Sequence, residues 1–166
     1  MARLVLVGLP GVGKSTVASA LAASWGCAAL DTDDELAAMT GGTAAEVLRR
    51  DGIAAFRQQE VAALRAALHA DAVVATGGGV VTLSEARELL RHEVTLWLDC
   101  EDDVLIPRLV DGDRPLLGDD PRSALEALRR EREEWYREVS SARIDASGTP
   151  DETVERVRDA LAEVAR

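Results

Sequence analysis

The sequence predicts an α/β domain in three layers (α/β/α), in which helices cover both faces of a central, five-stranded parallel sheet. Short apolar segments alternate with helical segments along the whole chain of 166 residues, a pattern typical of parallel sheets. The first strand also runs into a glycine-rich loop that opens a helix. No repeat, low-complexity tract or linker interrupts the alternation, so we expect a single domain over residues 1–166.

The first β-loop-α unit contains a phosphate-binding loop. Leu4 to Val7 predict a buried strand, and Thr16 to Trp25 predict a helix that ends at Gly26. Residues 8–15 between them are GLPGVGKS, the spacing at which backbone N–H groups wrap phosphates, the lysine reaches the β- and γ-phosphates and the serine binds Mg²⁺. A glycine-rich turn without a ligand is the alternative. We expect contacts with ATP from Gly11, Val12, Gly13, Lys14, Ser15 and Thr16.

Lys14 is the only lysine among the 19 basic residues of the chain, and all the others are arginines. A composition bias explains why lysine is missing elsewhere, but it does not explain the exception. Lysine carries a compact ammonium group, whereas arginine carries a wide planar fork. The exception therefore indicates a position where the fork does not fit.

Composition excludes some classes of function. The formal net charge of −11 argues against a nucleic-acid partner, because duplex binding depends on a basic surface. No apolar run approaches a membrane span and no signal peptide precedes the first strand, so we expect a cytoplasmic protein. We also expect a monomer. Cys27 and Cys100 lack metal-ligand spacing and are expected to be free thiols. Because ATP is an anion, its site needs a local cluster of cations.

The remaining elements follow from capping signals, glycines and apolar runs. In chain order we expect a strand over Ala28 to Leu30, a helix that starts at the capping box Thr43 to Glu46 and has Gly52 near its end, a second helical stretch to about Ala70, and a strand over Ala72 to Thr76. There follow a helix capped by Ser84, a strand over Val94 to Leu98, an exposed loop over Asp111 to Arg122, a helix from Ser123 to about Val139 and a strand over Ala142 to Asp145. The last helix begins at the capping box Thr149 to Glu152, with Pro150 at its first position and an apolar face of Val154, Val157, Leu161 and Val164.

Three segments that follow predicted strands should meet at the carboxyl ends of the sheet: the phosphate loop, the run from Asp31 to Asp33, and the triple glycine Gly77 to Gly79. Asp31 and Asp33 lie two residues apart in a segment expected to be extended, so their carboxylates would share one face at about 6 to 7 Å. One could then hold Mg²⁺ through water while the other accepts a proton from an attacking hydroxyl. The alternative is that the run caps a helix, with Asp34 as the cap.

Four further candidates are ambiguous when each is considered alone. Arg57 could bind a ligand or only pair with Glu60 on the same helix face. The triple glycine could open bare backbone to a ligand or form a tight turn. Arg114 lies in the exposed loop, where a lid could carry it onto a transferring phosphate. Arg132 lies in a charged run that is typical of a solvated helix face.

Taken together, these segments resemble the shikimate kinases. The resemblance is carried along nearly the whole chain by Gly8 to Thr16, Leu30 to Asp33, Phe56-Arg57-x-x-Glu60, Gly77 to Gly79, Arg114 to Leu117 and Arg132-x3-Tyr136. It implies a P-loop fold like that of the nucleoside monophosphate kinases, with a lid at about 111–122 and an acceptor-binding helical region at about 33–62. It also implies transfer of the ATP γ-phosphoryl group to the 3-hydroxyl of shikimate, a step of aromatic amino-acid biosynthesis that gives shikimate 3-phosphate and ADP.

The resemblance also implies roles for residues of the acceptor site. Asp33 would hold the ring hydroxyls of shikimate and act as the base. Arg57 and Arg132 would hold the carboxylate, which suits arginine because its fork matches two oxygens. Gly78 and Gly79 would offer backbone contacts.

On the phosphate side, the resemblance implies that Ser15 binds Mg²⁺ and that Asp31 supports the ion through water. Lys14 and Arg114, the latter from the lid, would act on the transferring phosphate. With the two arginines of the acceptor site they would supply the cationic cluster that an acidic protein needs.

Two features depart from the family pattern. The adenine-binding loop before the last helix often carries an arginine, but residues 147–150 (SGTP) contain none. Adenine contact would then depend on backbone and Pro150, with Arg108 as the candidate to stack on the base. The predicted lid also contains acidic residues that are unexpected next to a nucleotide, so nucleotide affinity could differ: Asp111, Asp113, Asp119 and Asp120.

Other functions remain as alternatives. The nearest is a kinase of the same architecture for another acceptor, such as gluconate, which an acceptor screen would distinguish. A GTPase normally recognises guanine through Asn-Lys-x-Asp, and this chain contains no asparagine. An ATP-binding module without catalysis would have little reason to keep Asp33, Arg57 and Arg132 together.

Overall fold

The computed structural model describes residues 1–110 and 120–164. Within this part of the chain, five strands form one sheet in the order β2-β3-β1-β4-β5, and every neighbouring pair is parallel. The strands are β1 Leu4–Val7, β2 Ala28–Asp31, β3 Ala72–Ala75, β4 Thr95–Asp99 and β5 Ala142–Asp145. The predicted parallel sheet is confirmed. Because the chain crosses over on both sides of β1, the loop after β1 lies at the centre of the carboxyl edge, where α/β sheets bind ligands.

The burial of the strands explains their apolar sequences. β1, β3 and β4 are buried along their whole length, whereas the edge strands β2 and β5 are partly exposed. In the register of the sheet, Val5 lies between Val74 on β3 and Thr95 on β4. A central parallel strand is covered on both faces, so it carries a continuous apolar run rather than an alternating one.

Helices form a layer on each side of the sheet. The described residues form α1 Lys14–Trp25, α2 Thr32–Thr40, α3 Ala44–His69, a 3₁₀ turn Val80–Thr82, α4 Ser84–Arg91, α5 Asp102–Val110, α6 Pro121–Val139 and α7 Pro150–Val164. α1 packs against α7, and α4 packs between α3 and α6. None of these helices is long and apolar enough to cross a membrane.

α2 and the beginning of α3 form a small unit beside the main core. Its apolar cluster, separate from the one that surrounds the sheet, consists of Leu36, Val47, Phe56 and Ala63. Gly52 interrupts α3 with φ 80° and ψ 168°, a backbone conformation that favours glycine. This unit corresponds to the segment at about 33–62 that the sequence predicts to bind the acceptor.

Most predicted helix ends are confirmed. Gly26 ends α1 in the left-handed conformation. The capping boxes of Thr43 with Glu46 and of Thr149 with Glu152 are both formed by reciprocal hydrogen bonds.

Three local predictions were wrong. Ser84 does not cap α4, because Leu83 occupies the capping position and Ser84 is already helical. The predicted loop at 111–122 ends earlier than expected, since α6 begins at Pro121 with Asp120 as its cap; residues 111–119 lie outside the described part of the chain. Val164 was assigned to the apolar face of the last helix but is 47% exposed.

Candidate active site

The phosphate loop, residues 8–13, joins β1 to α1 and requires glycine at both ends. Gly8 has φ 148°, and a Cβ atom on it would lie 2.2 Å from the carbonyl oxygen of Leu98. Gly13 has φ 104° and occupies the capping position of α1. The positive end of α1 and the N–H groups of its first turn therefore point at the loop, an arrangement that favours phosphate.

Lys14 is enclosed by this loop. The residue is 8% exposed, and its Nζ atom donates hydrogen bonds of 2.9 Å to the carbonyl oxygens of both Gly8 and Leu9. An ammonium group has three donors at one point, so it can serve closely spaced carbonyls and still face a phosphate. A planar guanidinium would need more room. The burial of Lys14 agrees with the interpretation that arginine does not fit here.

Ser15 and Asp31 bring two hard oxygen ligands together. The Ser15 hydroxyl donates a hydrogen bond of 2.5 Å to Oδ2 of Asp31. Hydroxyl and carboxylate oxygens suit Mg²⁺, which protein sites often bind through only one or two side chains, with phosphates and waters completing the octahedron. Among the described residues, no group of three His, Cys, Asp or Glu side chains could hold a metal ion.

The run from Asp31 to Asp33 is not extended as expected. Asp31 ends β2 and caps α2, because its Oδ1 accepts a hydrogen bond of 3.0 Å from the backbone N–H of Asp33. Asp34 is therefore not the cap. Asp33 lies in the first turn of α2, and its Oδ1 would be 2.8 Å from a Cβ atom on Gly77. The capping alternative and the functional one are thus compatible, since Asp31 makes the cap and the Asp33 carboxylate lies against bare glycine backbone.

Arg57 and Arg132 converge on the triple glycine. Their Nη1 atoms would lie 3.8 Å and 3.9 Å from a Cβ atom on Gly79. Gly78 is in turn close to the phosphate loop, since a Cβ atom on it would lie 2.7 Å from Cδ of Pro10. The Arg132 side chain is only 14% exposed, so the interpretation of a solvated helix face was wrong for this residue.

Glu60 forms the ion pair that sequence reasoning treated only as an alternative. Its Oε2 accepts a hydrogen bond of 2.6 Å from Nη1 of Arg57. Burial raises the pKa of the Glu60 carboxyl; Arg57 opposes this shift and the nearby Asp33 carboxylate adds to it. Glu60 therefore bonds to Arg57 and lies within electrostatic reach of Asp33 and Arg132. Arg57 can therefore pair with Glu60 and still be available to bind a ligand.

A cavity of about 280 Å³ opens beside the phosphate loop. It is lined by Gly11, Val12, Gly13, Thr16, Val17, Arg108, Ala146, Gly148, Pro150 and Thr153. Arg108 forms part of the wall and donates hydrogen bonds to the carbonyl oxygens of Ala146 at 3.0 Å and Gly148 at 3.2 Å. Stacking of Arg108 and Pro150 on adenine remains a prediction, but both residues line the same cavity as the loop.

The structure thus brings the predicted site residues to one edge of the sheet, with one exception. Arg114 lies outside the described residues, as do Asp111, Asp113 and Asp119. The sequence predicts only an ion pair for Glu60 and no role for Tyr136, although both are fixed positions of the motifs Phe-Arg-x-x-Glu and Arg-x3-Tyr. That spacing was the available signal.

The chain matches a family model described as shikimate kinase over residues 10–162. The chain belongs to the shikimate kinase family. It is 38% identical to the shikimate kinase of Streptomyces avermitilis over 162 residues, which cover 96% of this chain and 95% of that protein. The solved structure of the Acinetobacter baumannii shikimate kinase in complex with shikimate has a TM-score of 0.86 at 32% identity, covering 96% and 93% of the two chains.

Other kinases share the fold of this shikimate kinase family member more distantly. A gluconokinase from Sinorhizobium meliloti has a TM-score of 0.71 but only 22% identity, covering 99% of this chain and 93% of that one. A likeness at that level concerns the fold alone.

Proposed function

We propose that the protein transfers the γ-phosphoryl group of ATP to the 3-hydroxyl of shikimate, giving shikimate 3-phosphate and ADP for aromatic amino-acid biosynthesis. One observation carries the proposal: Arg57 and Arg132 converge on Gly79, in a turn that also contacts the phosphate loop and Asp33. Two arginines suit the planar carboxylate of the acceptor, since each fork can bind two oxygens. The Asp33 carboxylate lies beside Gly77, where it could accept the proton of a hydroxyl group whose oxygen attacks the γ-phosphate.

The chain's own residues can perform most of this reaction by positioning and charge, which is what phosphoryl transfer requires. The loop amides and Lys14 hold the phosphates. Asp33 accepts the hydroxyl proton, and a base of modest strength is sufficient. Mg²⁺, when bound by Ser15 and supported by Asp31, would neutralise charge on the phosphate oxygens. We propose that Arg114 adds a further cation.

Several finer points belong to the same proposal. We expect a cytoplasmic monomer that uses ATP and Mg²⁺, with adenine in the cavity beside Arg108 and Pro150. The formal net charge of −11 supports the absence of a nucleic-acid partner. Residues 1–166 would act as one domain, in which the unit of α2 and early α3 binds the acceptor.

A coupled assay of ADP release tests the assignment, with shikimate, quinate and gluconate compared in parallel and a reaction without acceptor as the control. We expect ADP release to depend on shikimate. Turnover with gluconate instead would support the alternative kinase. ATP binding without turnover on any acceptor would support a module without catalysis.

A further inference from the structure

We infer that Tyr136 is a positioning residue that orients the Gly78–Gly79 peptide and Arg132 towards the acceptor, an inference that rests on the proposed function. The Tyr136 hydroxyl donates a hydrogen bond of 2.6 Å to the carbonyl oxygen of Gly78. Tyr136 is only 1% exposed, so the donor side of this bond is buried, while Gly78 itself is half-buried. It connects α6 directly to the triple glycine, which the chain reaches 58 residues earlier.

The bond fixes the direction of one peptide unit. In a planar trans peptide the C=O and N–H groups point in opposite directions. Anchoring the Gly78 oxygen to α6 therefore turns the Gly79 N–H away from α6. Within residues 1–110 and 120–164, neither Gly78 nor Gly79 donates its N–H to a protein acceptor, whereas the Gly77 N–H is bound by Thr32 Oγ1. Two amides thus remain for a ligand in the turn that Tyr136 holds.

A run of three glycines needs such support from outside. Among the described residues, Val80 and Thr82 bond the carbonyls of Gly77 and Gly79 from within the turn, whereas Tyr136 holds the Gly78 carbonyl from outside. Because glycine has the largest choice of backbone conformations, this middle peptide depends on that bond for its direction. The Tyr136 ring stacks on the buried Trp97 of β4, with 5.8 Å between ring centroids and 25° between planes. Burial raises the pKa of the phenol, which keeps its proton available for donation. The sheet therefore determines the position of the hydroxyl.

Arg132 is the second group that Tyr136 supports. The two residues lie four positions apart on α6, on the same side of the helix. The Arg132 guanidinium interacts with the phenol. This interaction opposes the effect of burial on the phenol pKa, which remains raised. Arg132 also lies beside Gly79, since its Nη1 atom would be 3.9 Å from a Cβ atom there. The Tyr136 hydroxyl therefore bonds to the turn and interacts with the arginine that are both proposed to bind the acceptor. Tyr136 does not line the cavity beside the phosphate loop.

Tyr136→Phe removes the hydroxyl and keeps the ring on Trp97. We expect the KM for shikimate to rise by about tenfold, because the half-buried Gly78 carbonyl loses its partner, while the KM for ATP stays within about twofold. In the ligand-free protein, the Gly78 carbonyl and Gly79 amide NMR resonances should shift. Val139→Ala is the matched control: it removes buried side-chain atoms one turn further along α6 but keeps the hydroxyl, so it should lower the melting temperature without changing the KM for shikimate.

An unchanged KM for shikimate in Tyr136→Phe overturns the inference, and so does an equal rise in Val139→Ala. If the wild-type protein does not phosphorylate shikimate, the proposed function fails and the ligand-free NMR comparison decides the inference alone. Shifted Gly78 and Gly79 resonances then support the positioning of the turn, and unchanged resonances overturn it.

Discussion

The phosphate side and the acceptor side of this crevice are built in opposite ways. The phosphate side uses consecutive residues, and Lys14 bonds to carbonyl groups only five and six residues before it. The acceptor side is assembled from α2, α3, the triple glycine and α6, so that Arg57 and Arg132 meet over Gly79 although they are far apart in sequence. A local motif fixes the first side, and the tertiary fold fixes the second.

This difference predicts different consequences for substitutions. Changes on the phosphate side should impair the chemical step, because they alter the loop that holds the reacting group. Changes on the acceptor side should affect the two substrates differently: they should weaken the binding of shikimate and leave the binding of ATP unchanged.

The largest effect is expected at Lys14. Lys14→Met removes the cation and should lower kcat by about a hundred- to a thousandfold, the loss typical of one preorganised electrostatic contact. Lys14→Arg keeps the charge but replaces a point with a fork. We expect a loss of similar size, because the enclosed position has no room for the fork. Steady-state kinetics with both substrates provide the measurement; near-normal turnover of Lys14→Arg would show that charge alone matters.

Asp33 should come next. Asp33→Asn removes the proposed base and should lower kcat by at least about a hundredfold. Asp34→Asn is the matched control, since Asp34 is an exposed neighbour in the same helical turn. Kinetics of both variants at saturating ATP provide the test, and a near-normal rate for Asp33→Asn would remove Asp33 from this role.

The same contrast explains how much of the site the sequence predicts. The phosphate loop and its flanking strand and helix follow from local spacing, and the structure confirms them. The geometry of Asp31 and Asp33 did not follow, because the run suits both an extended segment and a helix cap, and the change from β2 to α2 occurs within one residue. The prediction that Arg132 lies on a solvated helix face was wrong for a related reason. Only tertiary packing decides which face of a charged helix turns inward.

Arg57 and Arg132 should give intermediate effects that separate the substrates. Replacement of either by alanine should weaken shikimate binding by about 2 kcal/mol or more, as expected when one partner of a charged contact is lost, and should leave ATP binding unchanged. The controls are Arg65→Ala on α3 and Arg130→Ala on α6, both exposed. Calorimetric titration with each ligand tests this. Equal losses of affinity for ATP and for shikimate would show that these arginines do not belong to the acceptor site alone.

The smallest effect concerns the stability cost of holding Arg57 in place. Burial raises the pKa of Glu60 above its ordinary value of 4.5, so the folded state binds this proton more readily than the unfolded chain does. The stability that Glu60 contributes is therefore fully present below that value and is lost as the pH rises through the raised pKa. Glu60→Gln does not titrate.

Urea unfolding of the wild type and of Glu60→Gln, at pH values from below 4.5 to above the raised pKa of Glu60, measures the difference. The free energy of unfolding of the wild type, minus that of Glu60→Gln, should fall with rising pH and then level off. A difference that rises with pH would mean that the ion pair with Arg57 outweighs burial and lowers the pKa. The expected fall would show that the Glu60 carboxylate is kept at a cost in stability, next to the arginine that is proposed to bind the carboxylate of the acceptor.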